Sequence, residues 1–317
     1  MTTVATFGTT TDRRPTALFA VLAMISLPAM LVLFEAVNYV VQNRNNGTII
    51  SSGQAREYLL YVPKSYVSAR QTPLVISMHP GGGWPAEQRE VSQWNRVADE
   101  HGFIVVYPSG IKGDGLNMWR MDAAAGLEGD IRFIADLIDK LKTEYNIDSS
   151  RVYADGLSNG GGMAFVLSCT LSDRIAAVGM VGAAQLLPWR WCKDPRPMPM
   201  ITFHGTADPL TPYGGGRTWV APVSFPSIPT WTANWARRNR CRTNPIESTV
   251  ANDVSRLEYT NSPENASVVF YTIKGGGHSW PGGGPLPAWL VGSTSNSVDA
   301  SRLMWAFFSK HPLYKKQ

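Results

Sequence analysis

Arg151-Val152-Tyr153-Ala154-Asp155-Gly156-Leu157-Ser158-Asn159-Gly160 is the stretch that decides the fold. Its first residues are apolar and strand-like, and the residues from Gly161 to Cys169 read as a helix. A serine between them, with a glycine two positions away on each side, suits a sharp strand-to-helix turn. The missing side chains let the backbone double back and leave room around the hydroxyl. Such a turn lifts Ser158 Oγ clear of a sheet, where a base can reach it. A chain of this composition holds the pentapeptide by chance about 0.2 times. The weight therefore comes from two later stretches in a fixed order: His204-Gly205-Thr206-Ala207-Asp208, then Gly277-His278-Ser279-Trp280-Pro281.

Outward from this turn, strand-like runs alternate with helix-like ones. A polar tether over 43–53 precedes an early antiparallel strand over 57–62. Further strands are expected over 73–79, 103–107, 151–154, 175–181, 199–203 and 268–273. Helices are expected over 87–101, from an Asp130 N-cap to Leu141, and over 161–169, 230–240 and 299–310. Val91, Trp94, Val97 and Ala98 share one face of the first, and Ile131, Ile134, Ile138 and Leu141 one face of the second. The alternation predicts an α/β fold with a mainly parallel central sheet and helices on both faces. In such sheets the chemistry gathers beyond the carboxyl ends of the strands. His79-Pro80-Gly81-Gly82-Gly83, Ser158, Asp208 and His278 each lie just past a predicted strand end.

A serine hydroxyl needs a base within hydrogen-bond reach, and the base needs an orienting acid. The order Ser158, Asp208, His278 puts the acid between nucleophile and base, the chain order expected where the nucleophile sits on a strand-turn-helix. His278 would take the Ser158 proton and return it to the leaving group, while Asp208 would fix the imidazole tautomer. Asp155 and Asp130 compete for the acid role. Asp155 precedes the turn within a strand and faces away, and Asp130 is better explained as a helix cap. The N–H of Asn159 is one expected oxyanion donor, and the glycine loop after His79 supplies the other, Gly81 first and Gly82 second. The His79 side chain itself reads as structural.

The chain has 317 residues and a formal charge of +5, with its basic residues mostly scattered. No basic-aromatic patch of the kind that binds nucleic acid is visible, and neither metal nor organic cofactor is expected. Residues 17–34 form an uncharged apolar run after Arg13-Arg14. Its length of about 27 Å approaches the ~30 Å bilayer core. We read it as an uncleaved anchor in preference to a cleaved signal, with the twin arginine as a hint of folded export. Arg13 and Arg14 then stay on the cytoplasmic side. The expected organisation is an anchor and tether over 1–45 and an exported catalytic domain over 46–317, in contact with the membrane through the first segment alone and monomeric. Of Cys169, Cys192 and Cys241, the expected disulfide is Cys192 with Cys241, both in loop-like or element-end positions, with Cys169 a buried free thiol.

Taken as a set, Arg56-Glu57-Tyr58-Leu59-Leu60-Tyr61-Val62-Pro63, Gly156-Leu157-Ser158-Asn159-Gly160-Gly161, His204-Gly205-Thr206-Ala207-Asp208 and Gly276-Gly277-His278-Ser279-Trp280-Pro281-Gly282 resemble the esterase/polyhydroxybutyrate-depolymerase family of α/β-hydrolases, which includes feruloyl and acetylxylan esterases. The resemblance implies an α/β-hydrolase fold, the triad Ser158, Asp208 and His278, and a polymeric or small carboxylic ester as substrate. It also implies that Trp280 lines the pocket beside the histidine. Trp84 and Trp119 follow predicted strand ends and are the next pocket candidates, since Trp offers a flat apolar face to aromatic acyl groups, sugars or polyester. In the family the loop after His79 continues with Gly directly, whereas here it reads Pro80-Gly81-Gly82-Gly83. The linker and polymer-binding domain that secreted depolymerases of this family often carry are not in the sequence. A serine peptidase or amidase on the same scaffold is the alternative activity, and an inactive polymer-binding protein would require a missing triad member.

Overall fold

A computed structural model describes residues 44–113, 115–120, 127–192, 196–218 and 221–313. Along the chain run β1 (Gly47–Ser51), β2 (Gln54–Tyr61), β3 (Thr72–Met78), α1 (Pro85–Ser92), α2 (Trp94–His101), β4 (Ile104–Pro108), β5 (Ile111–Gly113), β6 (Leu116–Met118), α3 (Leu127–Glu144) and β7 (Ile147–Leu157). After these come α4 (Asn159–Thr170), β8 (Ala177–Val181), β9 (Met200–Gly205), β10 (Gly216–Thr218), β11 (Ala221–Phe225), α5 (Ile228–Arg238), β12 (Ile246–Ala251), β13 (Val254–Tyr259), β14 (Val268–Ile273), α6 (Ala288–Val291) and α7 (Ala300–Phe308).

Ten strands form one sheet in the order β1-β2-β4-β3-β7-β8-β9-β14-β13-β12. The six from β4 to β14 pair in parallel, and the flanking hairpins are antiparallel. The central strands are buried on both faces, so they read as unbroken apolar runs: β3 is Thr-Pro-Leu-Val-Ile-Ser-Met. Two cores result, one on each face. Phe133, Ile134, Leu137, Ile138 and Leu141 of α3 join Phe165 of α4 and Trp231 and Trp235 of α5. On the other face Val91 of α1, Trp94 and Val97 of α2, and Met304, Trp305 and Phe308 of α7 pack together.

Four expectations need correction. The stretch over 43–53 is not only a tether: β1 pairs with β2 through a tight turn at Ser52 and Gly53, both at positive φ (49° and 75°). The helix expected over 87–101 is two, because Gln93 adopts φ 54° and closes α1 with its N–H on the Arg89 carbonyl. The apolar face carries on across the break, which is why periodicity alone reads as continuous. Asp130 does not cap α3. It lies inside the first turn, where its fully buried carboxylate pairs with Arg56 at 2.8 Å and accepts the Arg120 N–H at 2.9 Å. Burial holds this carboxyl above its usual range, and Arg56 is lowered by the same desolvation.

The fourth correction is the disulfide, which joins Cys169 to Cys192 and leaves Cys241 free. Cys169 lies in the last turn of α4. The short turn Trp189–Trp191 folds back over this helix, with Trp189 edge-on to Phe165 at 5.4 Å between centroids, and carries Cys192 to it. Cys241 comes just after α5, with its thiol on the Ala266 carbonyl at 3.6 Å. The hairpins β5-β6, β10-β11 and β12-β13 are not foreshadowed by any pattern in the sequence. The apolar run over 17–34 lies outside the described residues; among those described, no helix is long and apolar enough to cross a membrane.

Candidate active site

β7 delivers the serine. The chain leaves the strand at Leu157 and enters α4 at Asn159, which forces Ser158 into φ 54°, ψ −116°, a conformation that side chains strongly disfavour. Small neighbours make the turn possible. A Cβ on Gly156 would sit 2.3 Å from the Gly160 carbonyl carbon, and one on Gly160 would sit 2.2 Å from the Met78 carbonyl oxygen. The Ser158 N–H is tied to the Val181 carbonyl at the end of β8 (2.9 Å), and the residue remains half-buried rather than sealed.

Asp208 stands three residues past β9. Its Oδ1 accepts the N–H groups of Leu210 (2.8 Å) and Thr211 (2.7 Å), so the Asp-Pro turn and the carboxylate's placement are one device. Its Oδ2 accepts from His278 Nδ1 at 2.8 Å. Because a carboxylate only accepts, the proton of a neutral His278 ring lies on Nδ1 and the Nε2 lone pair is left for chemistry. The His278 backbone is pinned as well: its N–H donates to Val291 at 2.6 Å, and Gly277 donates to Ser293 at 2.8 Å. Gly182, the residue after β8, sits against this pair. A Cβ there would lie 3.1 Å from His278 Nδ1 and 3.4 Å from Asp208 Oδ2. Val181 thus holds the Ser158 backbone, while its neighbour Gly182 abuts the imidazole.

The loop after β3 approaches from the opposite side. A Cβ on Gly81 would lie 3.5 Å from Asn159 Cβ, so the two expected oxyanion residues are neighbours. The N–H groups of Gly82 and Gly83 are committed to the carbonyls of Asn117 (2.8 Å) and Pro80 (3.0 Å). The Asn159 side chain clamps the backbone of Trp119 in both directions, Oδ1 accepting at 2.7 Å and Nδ2 donating at 3.0 Å. His79 is wholly buried, accepts the Gly110 N–H at Nε2 (2.9 Å), and titrates near 4 because burial disfavours its charged form. It braces the loop. Asp155 lies on the α7 side of the sheet, with Ser77 donating to it at 2.6 Å.

Two of the three expected pocket tryptophans are buried and present no open face. Trp280 is 1% exposed, belongs to the core shared by α1, α2 and α7, and donates to Ser301 at 3.0 Å. Trp119 is 2% exposed and donates to the His79 carbonyl at 3.2 Å. Trp119 stands behind the loop after β3, its ring 5.4 Å from that of His79, whereas Trp280 is a core residue. Trp84, at the head of α1, remains 37% exposed. Sequence reasoning overlooked Gly182, the β5-β6 hairpin and any role for His204. The motif His204-Gly205-Thr206-Ala207-Asp208 contained the last. Among the described residues, no group of three or more His, Cys, Asp or Glu is placed to hold a metal.

Residues 56–186 match the family described as Esterase PHB depolymerase. Feruloyl esterase B of Piromyces equi is 30% identical over 230 residues, 71% of this chain, and the chain spans 42% of that protein's length. Feruloyl esterase D of Neurospora crassa is 25% identical over 284 residues, covering 84% of this chain and 87% of its own. A solved acetyl xylan esterase from Aspergillus awamori shares the fold, with a TM-score of 0.57 over 74% of this chain and 93% of its own, at 16% identity.

Proposed function

We propose that the chain is a member of the esterase/polyhydroxybutyrate-depolymerase family of α/β-hydrolases, which its similarities support, and that it hydrolyses carboxylic esters through an acyl-enzyme on Ser158. The observation that carries this reading is the buried Asp208–His278 hydrogen bond of 2.8 Å, set around Gly182 beside the strained turn that presents Ser158. In this mechanism Ser158 Oγ attacks the ester carbonyl as its proton passes to His278 Nε2. The Asn159 N–H and the Gly81 N–H receive the oxyanion; the commitment of Gly82 and Gly83 elsewhere favours Gly81. The imidazolium, stabilised by Asp208, then protonates the leaving alcohol. Water attacks the acyl-enzyme by the same route reversed, and the acid departs.

The substrates favoured by the relatives' names are feruloyl and acetyl esters of polysaccharide, with hydroxyalkanoate polyester as the further class. The two readings separate in one assay: initial rates of the full chain on hydroxycinnamate esters and on hydroxybutyrate oligomers, with Ser158→Ala as the blank. A rate on neither that exceeds the blank would sink the proposal. We read the protein as exported, with its N-terminal apolar run as anchor or signal, and the Cys169–Cys192 disulfide supports an oxidising compartment.

A further inference from the structure

Asp208 faces two imidazoles, not one. His204, four residues earlier on β9, brings its Nε2 to 3.3 Å from the same Oδ2 that His278 engages, and both side chains have no solvent exposure. The tautomer of His204 is set by its other partner. Nε2 lies 2.7 Å from the Thr211 carbonyl, which can only accept, so Nε2 carries the hydrogen and shares it between Thr211 and Asp208. His204 Nδ1 is buried without a partner. Protonating it would bury an N–H with nothing to receive it, which holds the ring neutral. Burial lowers its tendency to take a proton by more than Asp208 and the Thr211 carbonyl raise it, and the His278 ring adds to the lowering. Besides Asp208 and His278, the titratable group facing it among the described residues is Tyr213, 6.2 Å away between ring centroids.

We propose that His204 is a positioning residue for the acid of the triad: a neutral N–H donor that completes the shell of Asp208 and keeps Oδ2 turned toward His278. The carboxylate then has a donor in each direction, namely Leu210, Thr211, His278 and His204. A neutral donor suits this task where a cation would not. A positive ring at Oδ2 would cancel the field that stabilises the His278 imidazolium. The inference rests on the assignment of Ser158, His278 and Asp208 as the triad.

The test compares three variants of the full chain on a soluble nitrophenyl ester. His204→Phe keeps a ring of similar size and removes the shared N–H. We expect kcat to fall about 10-fold with KM within about 3-fold. The acid limb of kcat/KM should move up by about half a pH unit or more, because a carboxylate stripped of a donor presents more negative charge to the His278 ring. His204→Gln, whose amide nitrogen reaches the Nε2 position, should stay within about 3-fold of wild type, and His204→Asn, which is too short, should behave as the Phe variant. Fluorophosphonate titration counts folded sites, so rates are compared per active site. Wild-type kcat and acid limb in His204→Phe would overturn the proposal, as would equal damage in Gln and Asn should the Phe variant not fold. Failure of the underlying triad assignment would look different, because Ser158→Ala would then remain active whatever stands at 204.

Discussion

Gly182 shows how closely the site is built at the scale of a single residue. Its φ of +54° is one that an alanine adopts only with strain, and the added methyl would press on His278 Nδ1 at 3.1 Å. Gly182→Ala should therefore cost about 1–2 kcal/mol of stability. It should also lower kcat more than it raises KM, by about 10-fold or more, since small displacements of a base are expensive in rate. Urea denaturation and steady-state kinetics on one preparation check both, and an unchanged kcat would mean that the ring does not need its place beside Gly182. The residues proposed to perform the chemistry could be picked out in the sequence, because serine, acid and base each fall just past a strand end in the chain order expected for this turn. Their supports could not. Gly182 is one glycine among 29 until the fold brings it to the histidine. The resemblance put Trp280 in the pocket beside His278, but the chain bends at His278 and Ser279 instead of running as a strand, so the two side chains part and Trp280 packs into the core.

At the scale of elements, the parallel strands were the readable part, because burial on both faces writes an unbroken apolar run. Edge hairpins such as β12-β13 have mostly exposed or half-buried side chains and leave little pattern to find. The disulfide depends on the same limit, since it is set by where the turn Trp189–Trp191 packs and not by the spacing of cysteines. It closes the segment between α4 and that turn, 23 residues apart. Cys192→Ser should lower stability by about 3 kcal/mol. Cys241→Ser removes only a partly buried thiol and should cost less than about 1 kcal/mol. Denaturant midpoints with and without reductant measure both, and equal effects of the two substitutions would contradict the pairing. Because α4 begins at Asn159, loosening its far end should also slow the enzyme at temperatures where the wild type is still fully folded.

For the molecule as a whole, buried titratable groups of opposite sense set the response to pH. Desolvation raises Asp155 to about 7, so the folded protein holds a proton there that the unfolded chain has released above about 4. That contribution is complete below about 4 and is lost as pH rises to about 7. His79, lowered by burial to about 4, runs the other way: its contribution is complete above about 6.5 and is lost as pH falls to about 4. His204 and His311, also lowered by burial, act in the same sense as His79. Between about pH 4 and 6.5 Asp155 thus opposes the histidines. Asp155→Asn should make stability fall more steeply on acidification across that window, and urea midpoints against pH that run parallel to wild type would refute this account. The fold itself does what the sequence pattern required of it. Six parallel strands bring residues separated by 120 positions in the chain (278 − 158) to one sheet edge, with a core on each face to hold them there. The most direct measurement is peptide mapping after a fluorophosphonate ester has reacted with the full chain. A single adduct on Ser158, formed as ester hydrolysis is lost and abolished in His278→Ala, is the predicted result. An adduct on another residue, or hydrolysis that persists once Ser158 is fully modified, would contradict it.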